Sequence, residues 1–157
     1  MSKATRATKM LEQSGVAFTV HDYDYDPNAE RIGLHAAEAL GEHPDRVLKT
    51  LMALVDGKPA CAIIPSKHEV SMKKLAAALG GKSAQMMKPA EAERITGYKV
   101  GGISPFGQMR AVPIAIEAQA LTHDLVYING GQRGLQVRLN PQDAATLLKA
   151  VAAPLIA

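Results

Sequence analysis

The spacing of apolar and polar residues changes repeatedly along the chain, so helices and strands are predicted to mix. Ala4, Ala7, Met10 and Leu11 recur at helical intervals across residues 2–14, and Gly15 is placed to end that helix. Phe18 and Val20 then alternate with Thr19 and His21 as in a half-buried strand, which runs into Tyr23-Asp24-Tyr25-Asp26-Pro27. A short helix is predicted over residues 34–40, stopped by Gly41, with a turn at Pro44-Asp45. Residues 47–55 are apolar on both faces, which predicts a central strand; Asp56-Gly57 turns it into a second strand over residues 60–64.

Farther on, Ser71 is placed to cap a helix over residues 72–79, closed by Gly80-Gly81, and Pro89 opens a helix over residues 89–95. Strands are expected at 113–116, 125–128 and 135–139, the last following the turn Asn129-Gly130-Gly131-Gln132-Arg133-Gly134. Asn140 and Pro141 start a final amphipathic helix, expected to run through Val151. The order predicts a mixed α/β fold of the α+β type in one domain, residues 1–157, not the strict alternation of a doubly wound sheet.

Composition narrows the function classes. Only 4% of residues are aromatic, too few for a stacking platform of the kind single-strand binders use. The net charge of +3 is compatible with a polyanionic partner without demanding one. Lys73, Lys74 and Lys82 cluster, which reads as a solvated face or a modest phosphate footprint. Cys61 is the one cysteine, so an intrachain disulfide is impossible; its apolar neighbours suggest a buried core residue and a reducing, cytoplasmic setting. No apolar run approaches the roughly 18 residues a membrane span needs, and the basic start leads into no apolar signal core.

Two stretches carry chemistry. Gly97-Tyr98-Lys99-Val100-Gly101-Gly102-Ile103-Ser104-Pro105-Phe106-Gly107-Gln108 places four glycines and a proline in twelve residues. Such a loop either makes tight turns or presents N–H groups to a phosphate, a carboxylate or a developing oxyanion. It is not a P-loop, because Gln108 and Met109 stand where that motif needs Lys and Ser or Thr. The other stretch is the strand carrying Lys49, whose ammonium must reach a carboxylate, a pocket mouth or an anionic ligand. Conventional catalytic groups are absent: the histidines are scattered without zinc-ligand spacing, His68-Glu69 is not closed by the second histidine a metalloprotease motif needs, and Ser104 lacks a nucleophile elbow.

The glycine loop, together with Val47-Leu48-Lys49-Thr50-Leu51, His21-Asp22-Tyr23 and Gly130-Gly131-Gln132-Arg133-Gly134-Leu135, resembles the YbaK family of Cys-tRNA(Pro) deacylases, in order and over almost the whole chain. That family is related to the editing domain of bacterial prolyl-tRNA synthetase. The resemblance implies a mixed sheet curled toward a barrel with helices outside. It implies action in trans on tRNA(Pro) mischarged with cysteine, alongside the synthetase, with no metal or cofactor. It also implies substrate-assisted chemistry, in which the cysteinyl thiol attacks its own ester and leaves as a thiolactone.

Carried onto this sequence, the resemblance makes Lys49 the essential lysine, Tyr23 the pocket tyrosine and Gly101 the loop glycine. Backbone N–H groups near Gly101 and Gly102 are expected to polarise the ester carbonyl, and Lys49 to anchor the tRNA end. Ile103, Ser104, Gly130, Gly131, Arg133 and Gln136 complete the expected substrate contacts, Arg133 toward a phosphate. Gln136 departs from the smaller Asp or Ser of relatives, which bears on amino-acid preference. Two other readings stay open: the same fold acting on another mischarged tRNA such as Ala-tRNA(Pro), and a module that binds an aminoacyl-tRNA end or a nucleotide without catalysis.

Overall fold

A computed structural model describes residues 4–25 and 32–157. Ser2, Lys3, Asp26 and Pro27 of the predicted segments lie outside the described residues. Helix α1 covers Arg6–Ser14, its first turn closed by a capping box in which Thr5 and Thr8 bond each other's backbone N–H. Strand β1 (Phe18–Asp22) and helix α2 (Ile32–Leu40) follow, and a 3-10 turn at Pro44–Arg46 leads into the central hairpin.

That hairpin is β2 (Leu48–Val55) and β3 (Lys58–Pro65), antiparallel in register from Leu48 opposite Pro65 to Val55 opposite Lys58. Asp56 and Gly57 close it with φ of 50° and 80°, the two positive values a type I′ turn requires. As the two-faced pattern predicts, β2 is covered on both sides. Leu48 and Met52 join a core with Ile63, Phe106, Ile116 and Ile128, while Ala53 and Val55 join another with Ala60, Ile64 and Leu75.

Helix α3 (Met72–Ala78) starts at Ser71, whose hydroxyl accepts from the Lys74 N–H at 3.2 Å. A short strand that the sequence pattern does not signal, β4 (Ala84–Met86), pairs with Ala53–Val55 of β2 and no farther. It is docked by Asp56, whose carboxylate accepts from the Lys82 and Ser83 N–H groups at 3.1 Å. Because β4 stops there, the outer edge of β2 over residues 48–52 has no ladder partner among the described strands.

Helix α4 (Pro89–Thr96) ends at Gly97, where the glycine loop begins. Beyond the loop, β5 (Ile114–Glu117) lies parallel to β3, and a 3-10 turn spans Ala118–Thr122. Strands β6 (Val126–Asn129) and β7 (Leu135–Leu139) form an antiparallel pair on which β1 adds, so the second sheet has the order β1-β7-β6. The final helix α5 (Pro141–Leu148) is shorter than its amphipathic pattern predicts. Lys149 turns out of it at φ 53°, and Val151–Ala153 becomes β8, parallel to β5. A tertiary pairing overrides the helical period there, reinforced by buried Glu117, whose Oε1 accepts from the Leu155 N–H at 2.7 Å and the Ile156 N–H at 3.2 Å.

The fold is therefore mixed α/β, with a five-stranded sheet ordered β4-β2-β3-β5-β8 beside the three-stranded one. A parallel bridge between Val47 and Tyr127 joins them, and among the described residues the two sheets do not close into a barrel.

The glycine loop is folded onto this frame by buried Tyr98, whose hydroxyl donates to the Phe106 carbonyl across the loop. Burial pushes that phenol up from 10.0 to about 12, against the smaller opposing influence of Arg6. The unfolded chain loses this proton near pH 10 and the folded chain retains it, so the stability Tyr98 contributes is complete below pH 10 and disappears as pH rises toward 12. Tyr98→Phe leaves the Phe106 carbonyl without its donor and is expected to cost about 1–3 kcal/mol at neutral pH, with a shallower alkaline decline between pH 10 and 12. Urea titrations of both proteins across that range test this; matching wild-type curves would remove the clasp.

Candidate active site

The unpaired edge of β2 opens into a cavity of about 490 Å³, a volume typical of small-molecule sites. Lys49 and Gly101 both line it. Tyr23, Ile103 and Gln136 do so too, so five of the residues singled out in the sequence meet around one space. Met86, Met87, Pro89, Ala92 and Val100 add apolar surface to its lining.

Strand β2 delivers Lys49 to this space at the end where β4 no longer covers it. Its side chain is 22% exposed, enough to keep the ammonium at the mouth of the cavity. Glu69 Oε1 lies 3.8 Å from Lys49 Nζ, but the Glu69 side chain is 74% exposed, so this pair contributes little to stability. Tyr23 lines the same cavity. Burial raises its phenol above the usual tyrosine value, the Gln136 amide beside it acts in the opposite direction, and Tyr25 adds a small upward push. At neutral pH Tyr23 is a protonated donor.

Gly101 is held in place by the turn between β6 and β7. Its carbonyl accepts from Asn129 Nδ2 at 3.1 Å, and the neighbouring Val100 carbonyl accepts from Arg133 Nε at 2.8 Å. Asn129 in turn accepts the Gly131 N–H at 2.7 Å, so one side chain ties both loops together. Gly101 has φ 91°, and a side chain there would run into the Tyr25 hydroxyl. Its N–H has no hydrogen-bond partner among the described residues.

The remaining predicted residues do not line this cavity. The Gly102 N–H donates to the Lys99 carbonyl at 2.8 Å and is committed within the loop. What Gly102 supplies is closeness: a Cβ there would stand 2.8 Å from the Arg133 nitrogen and 2.9 Å from the Gln132 carbonyl carbon. Ser104 is fully buried, and its hydroxyl accepts from the Phe106 N–H at 3.2 Å. Gly130 and Gly131 sit in the supporting turn, the Gly130 N–H bonded to the Leu135 carbonyl at 2.8 Å. Arg133 faces a second cavity of about 360 Å³ with Asp22 and Asp24, and its guanidinium lies 5.4 Å from the Tyr25 ring centre.

Sequence reasoning missed Thr50, Glu69 and Asn129 as residues of the cavity wall. Thr50 had a signal, since it interrupts a two-faced apolar strand beside Lys49. Asn129 and Glu69 lack one, because only the tertiary fold brings them here.

The cavity offers donors and very little nucleophilicity. No histidine or cysteine lines it among the described residues. Cys61 is completely buried elsewhere in the core, and burial pushes its thiol up to about 12. Ser66 lines the cavity, but its hydroxyl donates to the Val47 carbonyl at 2.6 Å. No group of three or more potential metal ligands occurs among the described residues.

Known proteins resemble this chain along most of its length. The family model described as aminoacyl-tRNA editing domain matches residues 26–147. A protein of Enterococcus faecalis named "Putative Cys-tRNA(Pro)/Cys-tRNA(Cys) deacylase EbsC" is 32% identical over 147 residues, covering 91% of this chain and 87% of that protein. A proline–tRNA ligase of Acidithiobacillus ferrooxidans is 32% identical over 85 residues, which is 54% of this chain but 15% of the ligase. Among solved structures, a "putative trans-editing enzyme for prolyl tRNA synthetase" superposes with a TM-score of 0.84 at 23% identity, covering 99% of both chains, a likeness of fold.

Gly102→Ala is expected to force the glycine loop away from the backbone of the β6–β7 turn, costing about 1–3 kcal/mol, and so about 2–12 °C in Tm for a domain of this size. Thermal unfolding followed by circular dichroism measures the change. An unaltered Tm would show that the two loops are not held in contact.

Proposed function

We propose that this chain, which belongs to the aminoacyl-tRNA editing domain family, is a deacylase that removes cysteine from mischarged Cys-tRNA(Pro) and acts in trans beside prolyl-tRNA synthetase. The observation that carries this reading is the joining of Lys49 and Gly101 by one cavity without a histidine or cysteine in its described wall. An enzyme built this way polarises and positions an ester and leaves the attack to another nucleophile.

For a cysteinyl ester that nucleophile is the substrate's thiol. Its sulfur attacks the ester carbonyl, the bond to the terminal ribose oxygen breaks, the thiol proton passes to that oxygen, and a four-membered thiolactone leaves. Effective molarities of well-aligned intramolecular reactions reach about 10⁵–10⁸ M, from which the strain of a four-membered ring subtracts. The Gly101 N–H is the donor available for the carbonyl oxygen as it gains charge, a contribution of about 10²–10³ in rate for such a group. Lys49, at the mouth, is suited to the ribose and phosphate oxygens of the tRNA end.

Discrimination against alanine and serine follows from the absence of a thiol in those esters rather than from the shape of the pocket, since pockets separate small side chains poorly. Hydrolysis by water is the second reading, favoured by the Glu69 carboxylate in the cavity wall. The setting proposed is the cytoplasm, where charged tRNA is found; no helix among the described residues is long and apolar enough to cross a membrane.

Purified protein incubated with Cys-, Ala- and Ser-charged tRNA(Pro), and with Cys-tRNA(Cys), tests the reading. Fast loss of the cysteinyl esters alone is expected, with Lys49→Ala slowing cleavage at least about 100-fold while its circular dichroism stays native. Equal rates on all esters, or an active Lys49→Ala, would contradict it. S-methylcysteinyl-tRNA(Pro) separates the two nucleophiles: resistance to cleavage supports cyclisation, and undiminished cleavage supports water.

A further inference from the structure

Cysteine is a small occupant for the space that Lys49 and Gly101 share. Its side chain has two heavy atoms, about 60 Å³ at a water's share of about 30 Å³ each, in a cavity of about 490 Å³. The room left over suits the nucleoside to which the ester is joined, so the mouth of the cavity has to receive a base, a ribose and the phosphates that follow.

The mouth offers an apolar face. Of the large apolar side chains left exposed among the described residues, Met86 at 49% and Val100 at 38% are the two that line this cavity. Met86 ends β4 where its ladder with β2 stops, and Val100 directly precedes Gly101 in the glycine loop. Apolar side chains scattered over a surface need no explanation, but a thioether and an isopropyl group at the edge of a binding cavity form a face on which a flat ring is desolvated.

Two lysines flank that pair. Lys88 stands between the lining residues Met87 and Pro89, and Lys99 directly precedes Val100, so each has its Cα about 3.8 Å from that of a lining residue. Both are exposed, and neither ammonium has a partner among the described residues. The neighbouring charges are engaged: Glu91 lies 3.6 Å from Arg94, Lys67 lies 3.1 Å from Asp45, and Glu69 faces Lys49. Glu93 accepts from the Val100 N–H at 2.9 Å, a neutral donor, so Lys88 and Lys99 together leave this rim with a positive balance.

We propose that this lip is where the single-stranded 3′ end of a tRNA docks, its terminal base laid against Met86 and Val100 and its last phosphates met by Lys88 and Lys99. The assignment rests on the editing reading above. Such a lip reads a base by its face and a backbone by its charge. None of its four side chains reads a base edge, so it accepts the end of any tRNA and leaves the choice among tRNAs to contacts elsewhere.

Two non-hydrolysable probes carry the same cysteinyl 3′-amide, one on adenosine and one on the trinucleotide CpCpA, and are titrated calorimetrically at several salt concentrations. The trinucleotide is expected to bind the wild type tighter, with a slope of log K against log salt steeper by about 1.4, which is about 0.7 for each of its two phosphates. Lys88→Gln and Lys99→Gln should each remove about 0.7 from that difference, while the adenosine probe, which has no phosphate, binds them as it binds the wild type. Met86→Ser is expected to weaken both probes at least about fivefold, and Met86→Leu, which keeps the apolar face, to hold them within about twofold. A salt slope unmoved in the folded lysine double variant, or an adenosine probe held by Met86→Ser as tightly as by the wild type, would overturn the lip. Lysine variants that bind both probes normally but lose association with prolyl-tRNA synthetase would give the patch to a protein partner and overturn it as well. Deacylation of Cys-tRNA(Pro) by the same wild-type sample separates the two readings. Cleavage with an unmoved slope sinks the docking lip and leaves the editing activity, whereas the expected slope and Met86 effects without cleavage do the reverse.

Discussion

The whole site depends on the close approach of two loops that are far apart in sequence. Gly102 lies so near the backbone of Gln132 and Arg133 that no side chain fits between them. The Asn129 and Arg133 side chains then bond the carbonyls of Gly101 and Val100. With its carbonyl drawn back into that junction, Gly101 keeps an N–H that has no hydrogen-bond partner among the described residues. The glycines thus act through packing as much as through conformational freedom, and a rigid second loop replaces the helix N-terminus that phosphate-binding loops use.

This junction also accounts for how the two sheets share one cavity. The small sheet supplies Asn129, Gln136 and the turn that carries the glycine loop, and the large sheet supplies Lys49 from an edge that β4 leaves unpaired. The Val47–Tyr127 bridge links the two sheets beside it. A longer β4 would pair with that edge and cover it. The result is a set of fixed donors around a space without an activated nucleophile, which suits a substrate that brings its own. Preorganised dipoles of this kind stabilise developing charge without having to reorient as it forms.

Much of this was legible in the sequence because the informative features are local. A lysine within an apolar strand, four glycines beside a proline, and Asp56-Gly57 between two apolar runs each announce their conformation or their cost directly. Resemblance then joined Lys49, Gly101 and Tyr23, and the fold brings all three to one cavity. The pattern failed where distant contacts decide. The last helix, expected through Val151, stops at Leu148 and Val151–Ala153 forms β8, because β5 offers a parallel edge and Glu117 draws in the tail that follows. Residues 84–86 carry no strand pattern of their own and become β4 only on the edge of β2. In the loop, Gly102 and Ser104 have the composition of ligand-contacting residues, but their polar groups are used within the loop, the Gly102 N–H by Lys99 and the Ser104 hydroxyl by Phe106. Spacing alone does not distinguish a glycine that faces a ligand from one that faces another backbone.

The most direct measurement is the amide proton of Gly101 in a ¹⁵N-labelled sample, followed by NMR as a non-hydrolysable cysteinyl amide of adenosine is added. A carbonyl seated against that N–H shifts its resonance downfield and slows its exchange with solvent, while the Gly102 amide, already bonded to Lys99, changes little. Saturating ligand that perturbs the rest of the cavity but leaves the Gly101 resonance and its exchange rate where they were would contradict the assignment of this glycine to the reacting carbonyl.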